Sequence, residues 1–238
     1  MNKLRILQTN DFHGSLGGAA LATLASVRPE HDLYFDSGDA IKAGNLAIPL
    51  REEAVWGHLA QLECTASVLG NRETHVLESA FRAKIQGARH PLMCGNLQRR
   101  DGSFPLARTL LLESQGYRIG VLAVMVPMVT AKMVTQAASA YLWTAPIPTA
   151  LELAQELRPQ CDVLIALTHI GFAQDQLLAE ACPQIDIILG GHSHTVLQEP
   201  VRVGHTTICQ GGSHARFYGS YEWDGQALSG GLQPLNPS

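Results

Sequence analysis

Five short segments each place metal-type ligands directly behind an apolar run: Asp11-Phe12-His13, Gly38-Asp39, Gly70-Asn71-Arg72-Glu73, Thr168-His169 and Gly191-His192-Ser193-His194. Together they offer seven oxygen or imidazole donors, on Asp11, His13, Asp39, Asn71, His169, His192 and His194. That is too many for one tetrahedral ion and suits two ions sharing a carboxylate. Such a centre makes hydroxide at neutral pH and clamps the oxygens of a phosphate. Singly, each segment is weak. Gly-Asp is a turn dipeptide, Asn after Gly is a turn residue, and one histidine behind a strand reads as a hydrogen-bonded core residue. The expectation rests on their joint occurrence, each behind a strand.

The elements that must position these ligands run mostly strand, loop, helix. Residues 4–8, 33–36, 66–69, 92–94, 163–167 and 185–189 read as strands, and 19–27, 51–62, 78–85, 149–157 and 174–181 as helices. Val55, Leu59 and Leu62 share one face of the 51–62 helix. Residues 109–113 and 117–124 read as a hairpin about Ser114-Gln115-Gly116. Residues 127–146 read as a loop with a short helix over the site. Residues 206–210 and 217–223 read as two antiparallel strands split by Gly211-Gly212, and the last dozen residues as a turn-rich, poorly ordered end. The fold class is α/β with a β-rich C-terminal part. Every ligand follows the carboxyl end of a strand, where adjacent loops of an α/β sheet converge. Asp11 and His13 stand two apart, so an extended loop projects both the same way. Gly38 permits a tight turn behind Asp39, whose two oxygens can bridge two ions.

Composition narrows the function classes. The 238 residues are 46% hydrophobic and 16% charged, which excludes a disordered chain. A net charge of -4 gives no bulk attraction for a polyanion, so no nucleic-acid partner is expected. No apolar run approaches the ~18 residues of a membrane span, and the first strand begins too early for a signal peptide. Cys64, Cys94, Cys161, Cys182 and Cys209 are odd in number and widely spaced, which predicts reduced thiols in a cytoplasmic protein.

The motif order resembles the calcineurin-like metallophosphoesterases, and within them the N-terminal catalytic domain of the 5′-nucleotidase family. The likeness lies in Thr9-Asn10-Asp11-Phe12-His13-Gly14, Asp36-Ser37-Gly38-Asp39, Leu69-Gly70-Asn71-Arg72-Glu73, Cys94-Gly95-Asn96, Leu167-Thr168-His169-Ile170-Gly171 and Gly190-Gly191-His192-Ser193-His194-Thr195, with Gln210-Gly211-Gly212-Ser213-His214 near the end. It spans residues 4 to about 224. The resemblance implies a four-layer αββα sandwich of two mixed β-sheets flanked by helices. It implies one metal on Asp11, His13, Asp39 and His194, and a second on Asp39, Asn71, His169 and His192. The catalytic group would be Asp39, Asn71, Arg72 and His169, with Asn71 and Arg72 contacting substrate. A hydroxide between the metals would attack the phosphorus of a small phosphorylated substrate. Donors without thiolate suit two divalent ions, manganese, iron, zinc, cobalt or nickel.

Two departures qualify the resemblance. Arg72 stands where the family has a histidine that stabilises the transition state or protonates the leaving group. Arginine keeps its proton, so it cannot act as an efficient general acid, but it can clamp phosphoryl oxygens. The competing expectation turns Arg72 away onto Glu73 or Glu78. His75 or His214 could supply the proton instead, although a surface or supporting role fits each better. Second, residues 1–238 read as a single catalytic domain without the C-terminal nucleotide-binding domain of 5′-nucleotidases. Tyr218, Tyr221 and Trp223 are accordingly expected in the core. A metal-binding protein-interaction scaffold without turnover is the alternative to a hydrolase.

Overall fold

Along residues 119–125 successive side chains enter two different cores. Ile119, Val121, Ala123 and Met125 pack on one side, and Leu122 and Val124 on the other. This is the period-two signature of a strand buried on both faces. The computed structural model describes residues 3–235. Its first half holds β1 (Leu4–Thr9), α1 (Gly18–Val27), β2 (Leu33–Asp36), α2 (Ala54–Gln61), β3 (Ala66–Val68), α3 (Glu78–Ile85), β4 (Leu92–Met93), β5 (Leu97–Arg99) and β6 (Thr109–Ser114). Then follow β7 (Tyr117–Met125), β8 (Tyr141–Trp143), α4 (Pro146–Leu157), β9 (Val163–His169), α5 (Phe172–Ala181) and β10 (Ile187–Leu189). The described chain closes with β11 (Val201–Val203), β12 (Thr206–Cys209), β13 (Phe217–Trp223) and β14 (Leu228–Pro234).

Two six-stranded mixed sheets result, ordered β14-β13-β1-β2-β3-β4 and β11-β12-β10-β9-β7-β6. The parallel centre of each, β1 to β4 and β12-β10-β9-β7, aligns the strand carboxyl ends. The larger core joins the two sheets and receives Leu24, Trp56, Leu59 and Phe81 from α1, α2 and α3. A second core packs Leu153 and Leu157 of α4 and Leu178 of α5 against Leu164, Ala166 and Ile188. This is the sandwich of two mixed sheets with flanking helices that the resemblance implied. All five cysteines are unpaired and buried, and Tyr218, Tyr221 and Trp223 are core residues, both as expected.

The C-terminal expectations need correction. β12 and β13 do not pair with each other: β12 lies between β10 and β11, whereas β13 pairs antiparallel with β1 in the other sheet. Alternation shows that a strand has two faces, not which neighbour it joins. Residues 228–234 form β14, in register with β13 from Trp223↔Leu228 to Phe217↔Pro234, where a poorly ordered end was expected. Its glycines make the pairing possible, since a Cβ on Gly230 would sit 2.2 Å from the Ser220 carbonyl. The final part of that predicted end, 236–238, lies outside the described residues. The 127–146 segment holds the expected short helix, a 3₁₀ turn at Val134–Ala138, but also β8, paired with β5. α4 starts earlier than predicted, with Pro146 at a first-turn position that suits its fixed φ.

One half-buried histidine makes fold stability depend on pH. His90 Nε2 shares a hydrogen bond with Ser67 Oγ at 2.7 Å, and its Nδ1 has no partner among the described residues. Burial pushes this imidazole from 6.5 down to about 4. The unfolded chain binds the proton below pH 6.5 and the folded chain only below about 4. The stabilising difference is therefore complete above pH 6.5 and is lost as the pH falls from there towards 4, by about 3 kcal/mol at most. Urea unfolding at stepped pH should show wild type losing more stability than His90→Gln across that window. Parallel pH profiles for the two proteins would refute the assignment.

Candidate metal centre

The carboxyl ends of β1, β2 and β3 in one sheet and of β9 and β10 in the other bring all seven predicted ligands together, where a single sheet edge was expected. Asp11 and Asp39 are buried, and His169, the last residue of β9, is fully buried. In the first group, Asp11 Oδ1 lies 3.4 Å from His13 Nε2 and 3.3 Å from His194 Nε2. In the second, Asn71 Oδ1 lies 3.2 Å from His169 Nε2 and 3.0 Å from His192 Nδ1. Asp39 stands between them, with Oδ2 3.5 Å from His13 Nε2 and Oδ1 3.6 Å from His169 Nε2. Each carboxylate oxygen of Asp39 thus addresses a different group.

The local backbone is unusual. Five of the seven ligand residues have positive φ: Asp11 at 52°, His13 at 53°, Asp39 at 55°, His192 at 79° and His194 at 56°. The extended-loop expectation for Asp11 and His13 is therefore wrong. Both face the centre, but through left-handed turns that cost about 1–2 kcal/mol per residue. Such strain persists where surrounding contacts fix it, and it concentrates at functional sites. Here the fixing contacts are backbone bonds across loops: Asp11 N–H to Gly38 O at 2.8 Å, His13 N–H to Asp39 O at 2.9 Å and His214 N–H to Asp11 O at 2.8 Å. Gly70 allows the β2 and β3 loops to touch; a Cβ there would lie 2.2 Å from both Asp39 N and Oδ1.

Other buried groups hold the ligands in place. Glu73, 1% exposed, accepts the backbone N–H groups of Asp39, Ile41 and Gly70 at 3.0, 3.1 and 2.8 Å. Asp11 Oδ2 accepts from Asn10 Nδ2 at 2.8 Å and from the His192 N–H at 3.0 Å, which turns Oδ1 towards the histidines. Gln210 Oε1 accepts from Ser193 Oγ and the Thr195 N–H, both at 2.7 Å, bracing the His192–His194 loop. Sequence reading did not give Asn10 and Gln210 these roles. The available signal was a polar residue at the end of an apolar strand, which is buried in both cases.

Charge and tautomer suit a cation. His169 Nδ1 donates to the Ser37 carbonyl at 2.7 Å, so in the neutral ring Nε2 carries a lone pair. That lone pair faces the oxygens of Asn71 and Asp39, an arrangement that calls for either a second proton or a metal ion. Burial works to lower the His169 pKa, but the hydrogen bond and charge of Asp39, then Asp11, raise it to about 9. Burial works to raise Asp39; His169, the Arg72 N–H and His13 outweigh it and hold the carboxyl below its ordinary value. Asp11 is likewise held low, mainly by His13 and His169 against burial. The donors divide among hard oxygens and imidazoles, and no thiol enters either group.

Arg72 faces the centre. Its backbone N–H donates to Asp39 Oδ1 at 2.7 Å, its Nε lies 3.9 Å from Asp39 Oδ2, and its Nη1 donates to the Lys42 carbonyl at 3.0 Å. Glu73 accepts backbone amides and Glu78 accepts from Arg82 and Tyr141, and among the described residues the Arg72 guanidinium pairs with neither carboxylate. Buried Lys84 donates to the Arg72 and Asn45 carbonyls at 2.6 and 3.1 Å, fixing this loop from below. Burial lowers the Lys84 pKa despite Glu73 and Asp39 nearby. His214 packs its ring 4.7 Å from that of His13 and 6.0 Å from that of His194, bordering the first group. His75 lies apart, in the wall of a neighbouring cavity.

Comparisons with known proteins agree with this geometry. Residues 4–196 match the family described as Calcineurin-like phosphoesterase. The "Uncharacterized metallophosphoesterase YunD" of Bacillus subtilis (strain 168) is 26% identical over 92% of this chain and 50% of its own length. The 5'-nucleotidase of Mus musculus is 27% identical over 82% of this chain and 38% of its own. The chain thus spans half or less of these relatives. The crystal structure of the 5'-nucleotidase precursor from Thermus thermophilus superimposes with a TM-score of 0.78 at 19% identity, covering 98% of this chain and 54% of that one, a likeness of fold. With the family match covering most of its length and the motif loops of both sheets meeting at one site, the chain belongs to the calcineurin-like phosphoesterase family.

Proposed function

We propose that this chain hydrolyses a small phosphoester with the help of two divalent cations. Asp11, His13, Asp39 and His194 would hold one, and Asp39, Asn71, His169 and His192 the other. The observation that carries the reading is Asp39, whose two oxygens point to opposite ligand groups. When bound, the cations supply Lewis-acid polarisation of phosphoryl oxygens and hydroxide at neutral pH. Asn71 and Arg72 orient the phosphoryl group from the same loop. Arg72 adds a fixed positive charge, and the neighbouring imidazoles, helped by the Arg72 N–H at Asp39 and by Asn10 at Asp11, hold both carboxyls below their ordinary values against the effect of burial. Oxygen and imidazole donors make manganese a reasonable first ion to supply. Residues 1–238 act in this reading as one catalytic domain, supported by β13 returning to pair with β1. Among the described residues no helix is long and apolar enough to cross a membrane, and five buried, unpaired cysteines fit a cytoplasmic setting.

The test is metal content followed by turnover. Purified protein should carry two metals per chain. Chelation should abolish hydrolysis of aryl monophosphates, aryl diesters or nucleotides, and added manganese should restore it. Two metals with no hydrolysis of any of these would favour the interaction-scaffold alternative.

A further inference from the structure

Asn71 has a second face. Its side-chain oxygen meets His169 and His192, while its Nδ2 donates to Asn45 Oδ1 at 2.9 Å, away from the centre. Its backbone carbonyl accepts from the Thr74 hydroxyl at 2.8 Å. Asn45 and Thr74 both line a cavity of about 260 Å³. One residue therefore joins the candidate metal centre to a cavity wall. Lys84 ties the same two parts together, through the carbonyls of Asn45 and Arg72.

The cavity has a distinct chemistry. Leu46, Val76, Met128, Val129, Met133 and Trp143 supply its apolar wall. No Asp, Glu, Lys or Arg lines it among the described residues, so an anion gains nothing there. Two thioethers and an indole favour contact with an aromatic ring. The volume is sufficient, since a dry apolar cavity of roughly 150 Å³ accepts benzene. His75 adds one oriented donor. Its Nδ1 accepts the Leu77 N–H at 3.0 Å, so the neutral ring keeps its proton on Nε2. Of the apolar lining residues, Leu46 is 87% and Met133 44% exposed, so the cavity opens to solvent past apolar side chains. Met128, Met133, Thr135 and Trp143 all come from the 127–146 segment, so this stretch shapes a space beside the site.

We infer that this cavity receives an aromatic leaving group of the phosphoester while the metal centre holds the phosphoryl end. The inference rests on the hydrolase reading and assigns its substrate class: esters of a flat, uncharged ring. Local walls from residues 45–46, 74–76 and 128–143 select the ring.

Non-hydrolysable probes separate this inference from the hydrolase reading. Manganese-loaded protein is titrated calorimetrically with phenylphosphonate and with methylphosphonate. Wild type should bind the phenyl compound at least about tenfold more tightly, the effect of burying a ring. Val76→Trp, which fills the cavity, should bring the two affinities together without changing metal content or methylphosphonate binding. Thr135→Trp, at an exposed rim position, serves as a second filling variant should the first not fold. Equal affinities in wild type, or a phenyl preference that survives in the folded filling variants, would overturn the cavity assignment alone. Failure of metal-loaded wild type to bind either phosphonate would overturn the hydrolase reading, and the cavity assignment with it.

Discussion

Asp39→Asn should lower kcat/KM by at least about 10³-fold and reduce bound metal from two ions per chain to one or none. The size follows from what the side chain does. Lewis-acid stabilisation by a positioned cation is worth several kcal/mol, and each 1.36 kcal/mol is about tenfold in rate. Asparagine keeps the shape of the residue and one of its oxygens. It replaces the other oxygen by an NH2 group, which must face either His13 Nε2 or His169 Nε2, the neighbours at 3.5 and 3.6 Å. Whichever side receives the NH2 loses its shared ligand and gains a donor where a cation belongs. The loop itself should survive. Glu73 grips the backbone N–H of Asp39 rather than its side chain, and the Arg72 N–H can still donate to an amide oxygen. Metal analysis, single-turnover kinetics and a thermal melt on the same preparation separate these effects. A folded variant that keeps two metals and turns over within tenfold of wild type would show that Asp39 does not bridge.

The site was more legible in the sequence than the sheets were. Ligand chemistry is written in residue types that few structural roles require in combination, such as His192-Ser193-His194 behind Gly190-Gly191. The carboxyl-end rule then says where they meet. Strand partners are not written that way. β12 and β13 stand only a few residues apart in the chain, yet they join different sheets. Pairing is decided by long-range packing between β1 and the end of the described chain. Gly225, Gly230, Gly231, Pro234 and Pro237 make the β14 region read as a turn-rich end, whereas Gly230 is what permits the close pairing with β13. The left-handed backbone at Asp11, His13 and Asp39 was likewise invisible, since none of the three is the glycine that usually announces it. What does not follow from local sequence is the set of clamps: Glu73 on three amides, Lys84 on the Arg72 carbonyl, Gln210 on the histidine loop. Apart from the bond of Glu73 to Gly70, three residues away, each of these crosses a gap in sequence that no short motif spans.

Arg72 sets the second large effect, because a guanidinium can hold charge but cannot give up a proton. Removing it as Arg72→Ala should cost about 10²–10³-fold in kcat/KM, the usual loss when one charge-stabilising donor leaves a transition state. Metal content should stay unchanged, since only the backbone N–H of Arg72 touches Asp39 at hydrogen-bonding distance. The sharper test is the dependence on leaving group. Without a general acid the departing oxygen leaves as an anion, so the rate should fall steeply as the pKa of the leaving phenol rises. Substituted phenyl phosphates of one ring size isolate this slope from any preference of the neighbouring cavity for a ring. Arg72→His offers a group that can carry a transferable proton near neutral pH. Its slope should be flatter, with the poorest leaving groups, alkyl esters included, gaining relative to p-nitrophenol. Identical slopes for wild type and Arg72→His, both with full metal, would mean that the arginine neither clamps the phosphoryl group nor replaces the family histidine. The position of its Nε, 3.9 Å from Asp39 Oδ2, would then be a consequence of the Lys42 and Lys84 contacts alone.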